Sequence, residues 1–202
     1  MGAAKTNGIF TRATLVCCNR GACDTFRRGV ANLPRDAQLL MDTRDKILSR
    51  GGLHDVLEEH RRAGRRIVFA HGVFDLLHAG HVRYLRAARD EGDLLVVAIH
   101  SDASARKLKG DGRPVLTERA RTALVAALAA VDYVIVFDDA DVEPLLREFQ
   151  PEVHARGADR TVNASRDAEL AALLGIRVAV VGDGSPHSTS EIVARLRRGM
   201  ND

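Results

Sequence analysis

The chain has 202 residues, the size of one domain, and is 46% hydrophobic but only 4% aromatic, so it can bury a core and that core is aliphatic. Its formal net charge of +3 is a mild basic excess that a phosphorylated small substrate accounts for. The arginine-rich runs at 61–66, 83–89 and 195–198 read as solvated helix faces, not a nucleic-acid footprint. No apolar run nears the ~20 residues that cross a bilayer, and residues 1–10 carry no signal-peptide core. The expectation is a cytoplasmic protein with neither a nucleic-acid nor a membrane partner.

Residues 1–42 show no period and are rich in Gly, Asn, Thr, Cys and Arg. They read as an N-terminal extension of low order, with a short strand conceivable at Thr14-Leu15-Val16, ahead of a domain at 43–202. Cys17, Cys18 and Cys23 are odd in number and have no His at zinc-like spacing, so free thiols and no metal are expected there. Residues 44–63 look helical in two pieces broken at Gly51-Gly52, the second with Leu53, Val56 and Leu57 on one face. Strand and helix then alternate. Strands are expected at 66–70, 94–99, 133–137, 152–155 and 176–181, and helices at 79–90, 117–130, 141–149, 165–174 and 188–198. In the helix at 79–90, Val82, Leu85 and Ala88 should face inward and Arg83 and Arg86 outward. Wholly apolar strands separated by helices imply an α/β fold, a doubly wound five-stranded parallel sheet with helices on both faces. Its ligand should lie beyond the carboxyl ends of the strands, near the topological switch point.

Residues that carry chemistry collect where those ends should be. After the first strand, Gly72-Val73-Phe74-Asp75 leads into His78-Ala79-Gly80-His81 at the start of a helix. A helix N-terminus offers free N–H groups and a partial positive charge, Gly80 permits close approach of a phosphate, and two imidazoles add donors. Fixed donors of this kind stabilise the charge that builds on an attacked α-phosphate. A lone His capping a helix would be structural, but two His with Asp75 and Gly72 before them favour chemistry. Past the second strand, Lys107 and Lys109 precede Gly110-Asp111-Gly112 and read as phosphate-binding charges on a mobile loop, with a plain solvated basic loop equally consistent. Ser188 and Thr189, with Glu191 three residues after Ser188, form a capping box that would also hold phosphates. In 154–160, Gly157 and Ala158 leave room for a flat base, and Arg121 is a further phosphate candidate whose alternative is a surface ion pair.

With these residues in hand, the chain resembles the nucleotidyltransferases that carry the His-x-Gly-His signature, with a Rossmann-like fold. It is most similar among them to the heptose 1-phosphate adenylyltransferases of the lipopolysaccharide core pathway. The resemblance covers about 45–198 and rests on 67–75 (Ile-Val-Phe-Ala-His-Gly-Val-Phe-Asp), 76–84 and 127–134, together with the segment from Ser101 to Pro114 and that from His187 to Ile192. It implies AMP transfer from ATP to a sugar 1-phosphate with Mg²⁺, no covalent enzyme intermediate, and a homodimer. By this similarity His78, His81, Lys107 and Lys109 are catalytic. Gly72, Val73, Phe74, Gly80, Arg121, Arg156, Gly157, Asp159, Ser188 and Thr189 bind the nucleotide. His71, Asp75, Asp102 and Lys107 bind the acceptor. The chain departs from the family pattern at His71 and His100, where Asn is usual, at Arg156 for Lys, and at Arg160 for an aromatic. The sugar-kinase domain of many relatives is not in this sequence. A glycerol 3-phosphate cytidylyltransferase and a non-catalytic nucleotide-binding protein are the competing readings.

Overall fold

The computed structural model describes residues 43–139, 141–158, 164–182, 189 and 192–193. The chain divides into two units, Met1–Leu40 and Met41–Asp202, and the described residues lie in the second. A 3-10 turn (Thr43–Lys46) is followed by α1 (Arg50–Arg62), β1 (Ile67–Gly72), α2 (Ala79–Arg89), β2 (Leu94–His100), α3 (Asp102–Lys109) and α4 (Glu118–Ala126). Then come β3 (Tyr133–Phe137), α5 (Glu143–Phe149), β4 (Val153–Gly157), α6 (Ala164–Leu174) and β5 (Arg177–Val181).

The five strands form one parallel sheet in the order β3-β2-β1-β4-β5. The chain winds from β1 out to β3, then returns past β1 to β4, so the switch point lies between β1 and β4. Every residue of β2 is buried, as expected of a strand covered on both faces. On one face Ile67, Phe69, Val96 and Ala98 meet Leu53 and Leu57 of α1, Leu145, Leu146 and Phe149 of α5, and Leu170 and Ala171 of α6. Phe69 and Phe149 stack with ring centroids 5.6 Å apart. On the other face Val68, Ala70, Leu95 and Val97 meet Leu85 and Ala88 of α2 and Val125 and Ala126 of α4. Each of the buried Val, Leu, Ile and Phe side chains contributes about 1.5–3 kcal/mol. Among the described residues no helix is long and apolar enough to cross a membrane.

Three local expectations are corrected. Gly51-Gly52 does not break a helix: both lie in the first turn of α1, where Ser49 caps the end by accepting from the Gly52 N–H at 3.1 Å. Val82 of α2 is exposed, and its inward stripe is Leu85 and Ala88. The segment with Lys107 and Lys109 is not a loop but the last turn of α3, whose N-cap Ser101 accepts from the Ser104 N–H. Strands β1 and β4 also run two residues past their expected ends, drawing His71, Gly72, Arg156 and Gly157 into the sheet.

At the amino edge of the sheet, His60 is buried between Tyr133 (Nε2 to Oη 3.3 Å) and Arg65 (Nδ1 to Nη1 3.3 Å). Burial first, and the Arg65 charge second, lower its pKa from 6.5 to about 4. A pocket lined by Arg61, Arg65, Arg66, Asp93 and Glu152 opens at this same edge. Both signs of charge surround it, and none of the expected site residues lies there.

Candidate active site at the switch point

The carboxyl end of β1 begins the site. Phe74 adopts a left-handed backbone (φ 49°) and folds its ring back onto Gly72, where a Cβ would stand 2.9 Å from Phe74 Cε2. Only glycine fits at 72 beneath that ring. Phe74 then packs on His81, ring centroids 5.2 Å apart. Because Val73 and Phe74 are both buried, their side chains serve this turn, and any contact with a nucleotide must come from backbone.

His78 is the N-cap of α2, in extended backbone, and its Nδ1 accepts from the Gly80 N–H at 3.1 Å. That bond sets the ring chemistry. A nitrogen that accepts carries no proton, so the neutral ring of His78 bears its hydrogen on Nε2 and keeps a donor for something outside the helix. His81, one turn on, lies against His78 with ring centroids 3.9 Å apart, and both are half-buried. The structural role expected of a lone capping His and the chemical role expected of the pair therefore coexist in one side chain. Thr189 joins this end of α2: its hydroxyl donates to the Leu76 carbonyl at 3.3 Å, two residues before His78. The expected roles of Ser188, Asp159, the capping box and the helix at 188–198 fall outside the described residues, apart from Thr189 and the turn at 192–193.

Two carboxylates given to the substrate in the sequence reading are engaged with the protein. Asp75 is buried and accepts from the N–H groups of Val115 (2.7 Å) and Leu116 (3.0 Å), and it pairs with Arg113 Nε at 2.9 Å. It thereby ties the segment after α3 to the turn after β1. Asp102, at the start of α3, pairs with Arg121 at 2.8 Å, and its backbone N–H donates to the Glu118 carboxylate at 2.9 Å.

Arg121 forms no surface ion pair: it is fully buried, donating from Nη1 to the Val73 carbonyl (2.6 Å), from Nε to the Leu116 carbonyl (3.1 Å) and from Nη2 to Asp102. It clamps α3 and α4 to the turn beside Gly72. Lys107 and Lys109 stand exposed on the last turn of α3, above the segment that Asp75 anchors.

Across the switch point the site is closed by β4. The Tyr84 hydroxyl of α2 donates to the Ala155 carbonyl at 2.9 Å. Arg156 is buried and Gly157 half-buried at the end of the strand. His71 of β1, half-buried, meets the fully buried His154 of β4 with Nδ1 and Nε2 3.1 Å apart. The sequence reading passed over His154 and Arg113. His154 has no motif to mark it, whereas a buried Asp75 required a cation, and Arg113 was the nearest one in its segment.

The cytidylyltransferase-like family model matches residues 69–195. The bifunctional protein HldE of Syntrophotalea carbinolica is 43% identical over 151 residues, 75% of this chain and 31% of the relative. The HldE of Helicobacter pylori strain Shi470 is 39% identical over 173 residues, 86% of this chain and 36% of the relative. The chain thus spans about a third of the length of these relatives. Among solved structures, the lipopolysaccharide core biosynthesis protein of Thermoplasma volcanium GSS1 superposes with a TM-score of 0.52 at 34% identity, covering 58% of this chain and 95% of that one. With the sheet order, the capped His-x-Gly-His helix and a match across 69–195, the chain belongs to the cytidylyltransferase-like family of nucleotidyltransferases.

Proposed function

We propose that this chain transfers AMP from ATP to a sugar 1-phosphate, heptose 1-phosphate in particular, giving an ADP-sugar and pyrophosphate. The observation that carries the reading is the pair of His78, capping α2 through Gly80, and His81, stacked beside it at the positive end of that helix. In this reading a phosphate oxygen of the sugar attacks the α-phosphorus of ATP in line. The bond from that phosphorus to the bridging oxygen breaks, and pyrophosphate departs with the electron pair. Charge rises on the equatorial oxygens, where His78, His81 and the positive end of the α2 dipole would meet it. Lys107 and Lys109 would offset the phosphates of the nucleotide and the acceptor. Gly72, Gly80, Arg156 and Gly157 would border the nucleotide, Thr189 would lie toward its outer phosphates, and His71 would face the acceptor. The similarity to a lipopolysaccharide core biosynthesis protein supports a sugar phosphate of that pathway as acceptor.

Mg²⁺ fits this site as a companion of the triphosphate. Among the described residues no cluster of three or more His, Cys, Asp or Glu is arranged to hold a metal. The nearest carboxylates, Asp75 and Asp102, are paired with arginines. The phosphates would therefore supply its oxygens, and the ion would neutralise their charge and assist pyrophosphate departure.

The test is pyrophosphate release by purified protein with Mg²⁺ across ATP and CTP, each with heptose 1-phosphate, other sugar 1-phosphates and glycerol 3-phosphate. Release with ATP and heptose 1-phosphate alone is expected. Release only with CTP and glycerol 3-phosphate refutes the assignment, and nucleotide binding without release from any pair makes the chain a binding protein.

A further inference from the structure

We propose that His154 is a positioning residue: through its hydrogen bond to His71 it holds that ring, on the acceptor side of the site, in one orientation and one tautomer. This rests on the reading above, in which the acceptor binds beside His71. His71 and His154 belong to the two strands that flank the switch point, where an open α/β sheet takes its ligand. Their rings lie 27° from parallel with centroids 5.2 Å apart, joined by the 3.1 Å contact from Nδ1 to Nε2. His71 is half-buried and His154 wholly buried, so the pair runs from the cleft into the core.

An imidazole at position 154 needs a reason. In register His154 stands opposite Phe69, on the sheet face whose core is built of aliphatic and Phe side chains. Burying a polar ring there is unfavourable unless it is hydrogen-bonded, and an aliphatic side chain would pack at no such cost. The contact also constrains His71. Nδ1 of His71 is committed to His154, and which of the two rings donates sets the tautomer of both.

The neighbouring ring is fixed as well. Ser104 has a single hydroxyl proton, and it donates that to the Asp139 carbonyl at 3.0 Å. Its 2.8 Å contact with His100 Nδ1 is therefore one in which His100 donates. His100 then lies edge-on to His71, centroids 6.3 Å apart, and against Phe137 at 4.3 Å. His71 is thus held between one ring that bonds it and another that limits its swing.

His154→Leu removes the bond and suits a buried strand, and His154→Gln keeps a side chain able to bond His71. Pyrophosphate release is measured with heptose 1-phosphate varied at saturating ATP, then the reverse. In parallel, ring-nitrogen NMR of protein labelled with ¹⁵N-histidine reads the tautomer of His71, assigned with His71→Gln. H154L is expected to raise the acceptor KM by about tenfold or more, as loss of one oriented bond to a charged group does. Its kcat and its KM for ATP should stay within about twofold, and its His71 ring should change from one tautomer to a mixture. H154Q should restore both readouts most of the way. An acceptor KM within twofold of the parent in H154L, an equal rise in the KM for ATP, or an unchanged His71 spectrum overturns the proposal. If the parent protein turns over no sugar phosphate, the functional reading fails instead, and the spectrum alone decides whether His154 orients His71.

Discussion

Replacing Arg121 by Met separates a clamp from a ligand. The substitution keeps a long apolar stem in a wholly buried site and removes the guanidinium donors that reach Val73 O, Leu116 O and Asp102. Val73 is buried, so its carbonyl is stranded at a cost of about 1–3 kcal/mol. Leu116 is half-buried and the Asp102 side chain is 34% exposed, so water can reach both, and the usual 3–5 kcal/mol for breaking a buried pair is reduced. Together the loss should come to roughly 3 kcal/mol. For a unit of this size each kcal/mol moves Tm by about 2–4 °C, so Tm should fall by roughly 6–12 °C in calorimetry. Arg121→Lys should recover less than half of that, because one ammonium cannot span three acceptors set in different directions. An unchanged Tm, with the KM for ATP raised tenfold, would refute the clamp and restore Arg121 as a phosphate ligand.

The same reasoning gives three further expectations. His78→Ala should lower kcat by about 10²-fold or more and cost about 1 kcal/mol of cap, whereas His78→Asn should recover the cap in thermal melts without recovering turnover. Full activity in His78→Asn would show that capping is the whole of its role. Gly72→Ala forces a methyl to 2.9 Å from the buried Phe74 ring, so it should destabilise by about 1–3 kcal/mol in denaturant titrations and shift the turn before His78. Wild-type stability there would mean the ring yields freely. His60 supplies a pH dependence. Its folded pKa, about 4, lies below the ordinary 6.5, so between those values the unfolded chain binds the extra proton and stability must rise with pH. Denaturation midpoints should climb from pH 4 to 6.5, by no more than about 3 kcal/mol in all, and His60→Gln should flatten that climb. A slope unaltered by the substitution would assign the pH dependence to other groups.

The strands were legible because a parallel sheet buries both faces of each strand and so writes them as unbroken apolar runs. Residues 94–100, all buried, are the plainest case. The same rule hid the ends of β1 and β4, since His71 and Arg156 interrupt the run and read as turn. What keeps such residues in the sheet is a partner on the next strand, as His154 is for His71, and pairing across strands leaves no mark at fixed sequence spacing. Helix α3 was missed for another reason: eight residues with only Ser104 and Ala105 buried are too short to show a period. Arg121 is different, because its burial was readable. It falls four residues before Val125 and five before Ala126, on the face of α4 that enters the core. Its charge was weighed above its position.

That burial concerns more than one side chain, because Asp75, Asp102 and Arg121, expected from the sequence to meet ligands, also tie together the frame of the turn after β1. A turn that receives a triphosphate cannot tolerate bare carboxylates. At ~6 Å and an effective dielectric of ~20, one unpaired carboxylate would repel each phosphate charge by roughly 3 kcal/mol. Asp75 is set against Arg113, and Asp102 against Arg121, so each carboxylate is balanced by a guanidinium before any ligand arrives. The same pairs draw α3, α4 and the segment between them onto the turn after β1. Lys107 and Lys109 stand exposed on the last turn of α3, and the start of α2 is capped by His78. Asp75 and Asp102 here tie α3, α4 and the turn after β1 together through their arginines, which is why removing Arg121 should show first as lost stability.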